Sequence, residues 1–336
     1  MDHLDYLFGG YATQARCGLE EAAEREGFWL DIYVGHELGQ SPESRIYELA
    51  CSTSADGLII LPAGLASHSD SSTVNALLEA QGVLPSCSLG AIINGIPSIV
   101  ADNRPGLETL LDHLIVHHGR RRLLCLAGHQ GNPDSAIRFR VYLECLEKHC
   151  IEFDSTLVAT QVLDTYEARR TVQRVLARGT SFDAVVAFND AVALGALEAL
   201  TSARIRVPEQ VSLTGFDDVP FCRFTQPPLT TVRQPTRAMA KKALELVAAQ
   251  LRGESVPQLT AMPVQAILRA SCGCASSATN AHRDAPRTSR IEPSQWFDDN
   301  ARRIEERLEE QLDSEDPHDA IARDATAPCI RTGVAG

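Results

Sequence analysis

Two carboxylates that follow a short apolar run carry the clearest chemistry in this sequence. The run Val211–Thr214 has the composition of a buried strand, and Gly215 and Phe216 separate it from Asp217 and Asp218. Ligands of open α/β sheets bind beyond the carboxyl ends of the strands. A carboxylate can accept several hydrogen bonds from hydroxyl groups. The pattern therefore predicts a site for a hydroxylated ligand, with Asp217, which is nearer the strand end, as the better candidate.

Three further segments contribute polar candidates to the same site. Arg138 lies at the start of a predicted helix, and a guanidinium fork suits bidentate contact with ring hydroxyls or a carboxylate. Asn189 and Asp190 end one predicted strand and open a helix, so one of them should cap the helix while the other faces the ligand. We expect Asn189 to be the ligand residue. Gln234 lies in a proline-rich, extended segment, where its amide can bind the ligand or stabilise a hinge.

Other candidates lie at the two places where the chain should cross between lobes. The predicted hinge residues are Asp102, Asn103, Thr231 and Gln234. Asp102 is also a candidate ligand residue. Phe8 and Tyr11 follow the predicted first strand and could stack on a sugar ring, because aromatic faces pack well against apolar ring faces.

Catalytic and metal-binding motifs are not evident in the sequence. It contains neither a Gly-x-Ser-x-Gly elbow nor a Walker loop. Cys272 and Cys274 lack zinc-finger spacing, and we expect two structural cysteines after the last strand. His113 and His117 share a helix face without a third ligand at zinc-protease spacing, so a solvated helix end that includes His118 is expected. The sequence predicts no enzyme, no cofactor and no metal site.

Short apolar runs alternate with amphipathic segments, which predicts an α/β fold of two doubly wound parallel-sheet lobes joined by a multi-strand hinge. The expected N-terminal lobe is 1–102 with 235–258 returning to it, and the expected C-terminal lobe is 103–234 with 259–274 returning to it. Beyond these, the composition predicts a flexible linker at 275–292, an acidic helix at 293–312 and a disordered tail at 313–336. The helix is either a short coiled coil or a single solvated helix.

Composition and charge restrict the partners. The net charge is −13, so the chain has no basic footprint of the kind that nucleic-acid binding requires, and it should not bind DNA by itself. No apolar run approaches the ~18 residues of a membrane span. The first residues do not resemble an export signal. Most of the ten cysteines lie in apolar context, as expected of core residues in the reducing cytoplasm.

A set of motifs in order along the chain resembles the effector-binding core of the LacI/GalR family. These motifs are Asp102-Asn103, His113-Leu-Ile, His118-Gly-Arg-Arg-Arg, Arg138, Asn189-Asp190, Gly195-Ala-Leu, Val207-Pro208, Gly215-Phe-Asp-Asp218 and Pro228-Leu-Thr-Thr-Val-Arg-Gln-Pro235. The resemblance covers about residues 10–272. It implies a periplasmic-binding-protein-like clamshell that binds a small effector, a sugar or a nucleobase compound, between its lobes and signals by lobe closure, with homodimerisation expected.

The output of the module is less well defined by the sequence. The family's DNA-binding headpiece would need roughly 50 residues before the first strand, and only about ten are present. The ending Leu268–Cys274 resembles a subgroup in which the core is the input module of diguanylate cyclases or histidine kinases. The favoured function is therefore the ligand-sensing domain of a transcriptional regulator, with a signalling input module as the alternative. An α/β hydrolytic enzyme would need a nucleophile or metal constellation, and a transport binding protein would need an export signal.

Overall fold

The structure, a computed structural model, describes residues 10–33, 55–62, 84–129 and 131–274 together with the backbone of Cys329–Val334. All of these residues belong to one compact unit. Phe8, the predicted linker at 275–292 and the predicted acidic helix at 293–312 lie outside the described residues. No helix among the described residues is long and apolar enough to cross a membrane.

The first sheet has six parallel strands in the spatial order β1-β12-β2-β3-β4-β10. They are β1 (Trp29–Tyr33), β2 (Gly57–Leu61), β3 (Ser86–Leu89), β4 (Ser98–Asp102), β10 (Leu259–Pro263) and β12 (Cys329–Val334). Strands β2 and β3 are buried along their whole length, as expected of strands covered on both faces. Helices α1 (Gly10–Glu26) and α6 (Thr236–Leu251) pack against each other, and α6 covers the strands.

The second sheet has four parallel strands in the order β6-β5-β7-β8. They are β5 (Leu123–Leu126), β6 (Val158–Ala159), β7 (Ala184–Ala187) and β8 (Ser212–Thr214). The helices of this lobe are α2 (Asn103–Asp112), α3 (Pro133–Lys148), α4 (Thr165–Ala177) and α5 (Asp190–Ser202). A π-helical turn, His113–His117, extends α2, and short 3-10 turns occur at Ser155–Leu157, Pro220–Arg223 and Ala270–Cys272. The predicted α/β fold of two parallel sheets is confirmed.

The crossovers between the sheets use short, well-paired segments. Strand β4 ends at Asp102 and α2 begins at the next residue, so the first crossover is a direct strand-to-helix transition. Strands β9 (Thr231–Arg233) and β11 (Gln265–Ile267) form a separate antiparallel pair between the two sheets. Pairing of the two crossover segments satisfies backbone groups of both within the protein.

Two details of the predicted organisation differ in the structure. The segment 259–274 does not return as a whole to the C-terminal lobe. Strand β10 pairs with β4 in the first sheet, β11 pairs with β9, and only the turn Ala270–Cys272 packs against β8. Within the predicted disordered tail at 313–336, β12 pairs with β1 on one side and β2 on the other. Sequence pattern missed this strand because its partners are more than 250 residues away, and sheet pairing is a tertiary contact.

Candidate functional site

Three loops converge at the carboxyl edge of the second sheet. The loop after β5 leads into α3, the residues after β7 open α5, and the residues after β8 include Asp217. Because the strands are parallel and adjacent, their carboxyl ends meet along one edge, which is where ligands of such sheets bind. The polar residues that the sequence singled out in this lobe are therefore brought together by the topology.

Arg138 is buried at this edge, with only 7% of its surface exposed. Helix α3 begins after Asn132, whose side chain accepts a hydrogen bond from the Ser135 amide, and Pro133 is the first helical residue. The guanidinium lies over the Phe216 ring at 3.6 Å from the ring centroid, a cation–π contact. It also donates to the Phe188 carbonyl oxygen. These contacts hold the group rigidly at the edge.

Asp217 lies beside this guanidinium. The Gln234 amide nitrogen donates to its Oδ1 at 2.6 Å, so the two predicted ligand residues form one polar pair. The φ angle of Asp217 is 114°, a region that non-glycine residues rarely adopt. The backbone N–H of Asp217 donates to the Val232 carbonyl oxygen at 2.7 Å and fixes this conformation. Burial raises the pKa of Asp217 to about 6, and the charge of Arg138 and the Gln234 hydrogen bond oppose that rise.

Asp218 has a different role from its neighbour. Its side chain is almost completely buried and forms ion pairs with Arg269 and with the Arg233 Nε at 2.7 Å. Both of its oxygens therefore have partners within the domain, and it connects the residues after β8 to β9 and to the segment after β11. The sequence-based preference for Asp217 over Asp218 as the ligand residue stays a prediction that this arrangement supports.

Asn189 and Asp190, at the start of α5, have different roles. Asn189 is the N-cap, and its Oδ1 accepts from the Val192 amide at 2.7 Å. Asp190 is fully buried and accepts from the Thr231 hydroxyl at 2.6 Å and the Val219 amide at 2.9 Å. The capping oxygen of Asn189 is thus committed to the helix, and only its amide nitrogen has no hydrogen bond within the described chain. Asn189 stays a candidate ligand residue through that nitrogen.

Burial and the nearby Asp217 charge raise the pKa of Asp190 to about 7. Gly215 is required beside this carboxyl, because a Cβ at that position would lie 2.2 Å from Asp190 Oδ1. The two buried carboxyls therefore share one region in which a second negative charge is disfavoured.

The first crossover is tied to the same cluster. The Asn103 side chain is buried, donates to Asp134 Oδ1 at 2.7 Å and accepts from Arg138 Nε at 3.1 Å. Asp102, in contrast, is exposed at the end of β4, without a side-chain capping bond. Tyr11 lies in α1 of the first lobe, and its hydroxyl is close to Gly90. The structure thus joins Asn103 to Arg138 and does not bring Asp102 into this network.

Sequence reasoning missed two residues of this edge. Phe216 is fully buried and forms the surface beneath Arg138. The sequence pattern indicated only a spacer between the strand and the carboxylates at this position. Ser135 is 6% exposed, and its hydroxyl is the one buried side-chain polar atom without a hydrogen-bond partner in the described chain. Its position three residues before Arg138, one turn back on α3, was the available signal, because residues i and i+3 share a helix face.

Comparison with known proteins places this geometry in a family. Residues 111–272 match the model of the periplasmic binding protein-like domain. Over 199 residues the chain is 31% identical to the HTH-type transcriptional regulator GalR of Escherichia coli K12, a match that covers 55% of this chain and 58% of that protein. The matched part of the chain is similar to the effector-binding core of LacI/GalR-type transcriptional regulators. The chain spans less than two thirds of the length of that relative.

Two further comparisons agree with this similarity. The HTH-type transcriptional repressor CytR of Escherichia coli K12 is 26% identical over 243 residues, which cover 71% of this chain and 68% of CytR. The solved complex of the transcriptional regulator CelR with cellobiose is 25% identical, with a TM-score of 0.70 over 80% of this chain and 82% of that one. These relatives are transcriptional regulators by name.

Proposed function

We propose that this domain senses a neutral, polyhydroxylated effector of the sugar or nucleoside class for a transcriptional regulator. The observation that carries the proposal is the Arg138–Asp217–Gln234 group at the carboxyl edge of the second sheet. It offers a fixed cation that lies over an aromatic ring, together with a carboxylate and an amide that are hydrogen-bonded to each other. The cellobiose complex of CelR, a protein of the same fold, supports a ligand of this class.

The charges of the group favour a neutral ligand. Arg138 and Asp217 compensate each other, so the edge has no strong preference for an anion or a cation. Gln234 occupies Asp217 Oδ1, and Oδ2 has no hydrogen bond among the described residues. One hydroxyl of the effector would donate a hydrogen bond to Oδ2. A second effector hydroxyl would form a hydrogen bond with the Ser135 hydroxyl, which has no partner in the described chain. Charge-assisted hydrogen bonds of this kind are worth about 1.5–3 kcal/mol each.

The hydrogen bonds of the group lead directly to both crossovers. Arg138 is bonded to Asn103 at the first crossover, and Gln234 follows β9 at the second. A ligand that bonds Arg138 and Asp217 more strongly in the closed form than in the open form would shift the lobe equilibrium by that difference. Sensing by lobe closure, with these residues as the coupling, is part of the proposal. Homodimerisation also stays a prediction, checked by sedimentation equilibrium.

Thermal unfolding of the purified chain in the presence of sugars and nucleosides tests the proposal. The panel includes cellobiose together with common monosaccharides, disaccharides and nucleosides. A true effector at a hundredfold excess over its Kd should stabilise the domain by about 2.7 kcal/mol. Absence of a shift for every compound, in protein with native circular dichroism, would contradict the proposed ligand class.

A conservative pair of variants tests the site itself. Asp217→Asn keeps the size of the side chain but removes its charge, and should weaken effector binding about 10-fold to 100-fold. Glu152→Gln removes an exposed carboxylate elsewhere in the lobe and should leave the affinity unchanged. Equal affinities for Asp217→Asn and wild type would move the site away from this edge.

A further inference from the structure

Four potential metal ligands converge at the opposite, amino edge of the second sheet. They are His113 and His118, at the end of α2, and Cys272 and Cys274, after β11. All four ligand atoms lie within 4.8 Å of one another. We call these residues the His–Cys cluster. The sequence predicted a solvated histidine-rich helix end and two unrelated cysteines, and the structure instead brings them to one point.

The distances within the His–Cys cluster match a tetrahedron around a small ion. His113 Nε2 lies 3.1 Å from His118 Nε2, 3.1 Å from Cys274 Sγ and 3.9 Å from Cys272 Sγ. Cys274 Sγ lies 3.6 Å from His118 Nε2. Zinc bonds of about 2.0–2.1 Å to nitrogen and about 2.3 Å to sulfur give tetrahedral edges of roughly 3.3–3.8 Å. These four distances differ from the tetrahedral edges by less than about 0.5 Å, and all four ligand atoms lie within 4.8 Å of one another.

The backbone is shaped to produce this convergence. In a regular α-helix, residues five apart do not share a face, but the π-helical turn His113–His117 carries the chain round so that His113 and His118 approach. Gly273 has a φ of 112°, and a Cβ there would lie 3.0 Å from the His118 ring. A glycine between the two cysteines is therefore what allows both sulfurs to face the histidines.

The histidines of the His–Cys cluster are suitable metal ligands, because a neutral imidazole nitrogen presents a lone pair to a metal ion. The other group of potential ligands in the described chain, Asp112, Cys145 and His149, is different. Its carboxylate is already paired with His149 at 2.6 Å and with Lys148 at 2.6 Å, so it has no need of an ion.

We propose that His113, His118, Cys272 and Cys274 bind one Zn²⁺ ion in a tetrahedral, structural site. All four positions would be filled by protein, which is typical of structural zinc and leaves no open position for catalysis. On binding, the two thiols release their protons to solvent and bind as thiolates. The ion would hold the turn Ala270–Cys272 at the amino edge of the sheet. This proposal does not depend on the proposed effector.

Cobalt provides a direct probe of the site. The full chain, reduced and stripped of metal with a chelator, is titrated with Co²⁺ and followed by absorption spectroscopy. We expect one equivalent to produce the intense visible bands of tetrahedral cobalt and near-ultraviolet thiolate-to-cobalt charge transfer. Addition of Zn²⁺ should abolish both and raise the Tm of the stripped protein. Folded, reduced protein without these bands would overturn the proposal.

Matched variants assign the signal to the His–Cys cluster. His118→Ala and Cys274→Ala should lose the cobalt bands and the zinc-dependent rise in Tm. His117→Ala, in the same turn, and Cys150→Ala, an exposed cysteine, should keep both. His118→Cys supplies a different zinc ligand at the same position and should restore the binding that His118→Ala loses. This variant distinguishes lost coordination from misfolding.

Two further outcomes would also overturn the proposal. One is a cobalt spectrum that survives in both His118→Ala and Cys274→Ala, because the ion would then be bound elsewhere in the chain. The other is quantitative formation of a Cys272–Cys274 disulfide in protein purified under reducing conditions, detected by thiol titration and mass spectrometry. In that case the two sulfurs would be partners of each other and not of a metal ion.

Discussion

The two edges of the second sheet carry polar clusters of contrasting chemistry. At the carboxyl edge, Arg138, Asp217 and Gln234 are hard, charged or amide groups. Gln234 donates a hydrogen bond to Asp217, and Arg138 is held by Asn103 and Phe216. At the amino edge, the His–Cys cluster consists of soft nitrogen and sulfur donors that all point at one centre. The length of one short strand, three or four residues in β5, β7 and β8, separates a site suited to a hydroxylated organic molecule from one suited to a transition-metal ion.

The contrast shows how one sheet can carry an exchangeable site and a permanent one. Groups at the carboxyl edge already have internal partners, so a ligand gains only the difference between its bonds and theirs, which favours reversible binding. The donors at the amino edge converge on one point, and convergent thiolates and imidazoles gain most from a cation. Polar groups with partners inside the domain therefore suit reversible effector binding, and convergent donors suit a permanently bound ion.

The largest expected effect concerns the connection between the two edges. Arg269 is 6% exposed, pairs with buried Asp218 at the carboxyl edge, and lies three residues before Cys272. Arg269→Met should lower the free energy of unfolding by about 3–5 kcal/mol, because it leaves a buried carboxylate without its main partner. Urea unfolding followed by circular dichroism measures the loss.

Arg233→Met is the matched control for that variant. Arg233 pairs with the same carboxylate, but 42% of its side chain is exposed, so its removal should cost at most about 1 kcal/mol. Similar losses for the two arginine variants would contradict the burial argument. If Arg269→Met also weakens cobalt binding while Arg233→Met does not, the two edges are mechanically linked through 269–272.

The second prediction concerns the buried carboxyls at the carboxyl edge. Both Asp190 and Asp217 have a folded-state pKa above the usual value, at about 7 and about 6. Below pH ~4 the carboxyls are protonated in both states. As the pH rises, the unfolded chain ionises first, so stability should fall between about pH 4 and 7, by at most about 1.4 kcal/mol per pH unit for each proton.

Asp190→Asn should make this decline shallower, because it removes the more strongly perturbed group. The measurement is the free energy of unfolding in urea at several values between pH 4 and 8, with Glu152→Gln as the exposed control. A slope in Asp190→Asn equal to that of wild type would show that the buried pair does not govern the pH dependence. Loss of zinc would act with the opposite sign, since protons compete with metal for the His–Cys cluster at low pH.

The smallest expected effect concerns the glycine between the two cysteines. Gly273→Ala should cost about 1–3 kcal/mol, because it places a Cβ at a φ of 112° and against the His118 ring. Gly253→Ala is the control. Gly253 also has a positive φ, 76°, but no atom lies within 4 Å of a Cβ placed there, so about 1 kcal/mol is expected. Only Gly273→Ala should also lower the affinity for Co²⁺, and equal cobalt affinities would show that Gly273 does not shape the His–Cys cluster.

Much of the carboxyl edge could be predicted from the sequence, because each candidate follows its own strand. The apolar runs before Asn189 and Asp217 identify buried strands, and parallel topology then requires their ends to lie together. The division of roles within each pair could not be predicted. Whether Asn189 or Asp190 caps α5 depends on the buried Thr231 hydroxyl, which reaches Asp190 from a segment 41 residues away.

By itself the sequence determined the α/β class and the two parallel sheets, since these depend on local periodicity and on motifs close together in the chain. Only the tertiary structure decided the place of Cys329–Val334 in the first sheet and the meeting of His113 and His118 with Cys274, which is 161 and 156 residues away from them. The physical reason is that strand pairing and metal-ligand geometry are contacts in space. Distant partners produce no periodic pattern in the sequence. In addition, the π-helical turn His113–His117 departs from the regular α-helical repeat on which the sequence analysis relied.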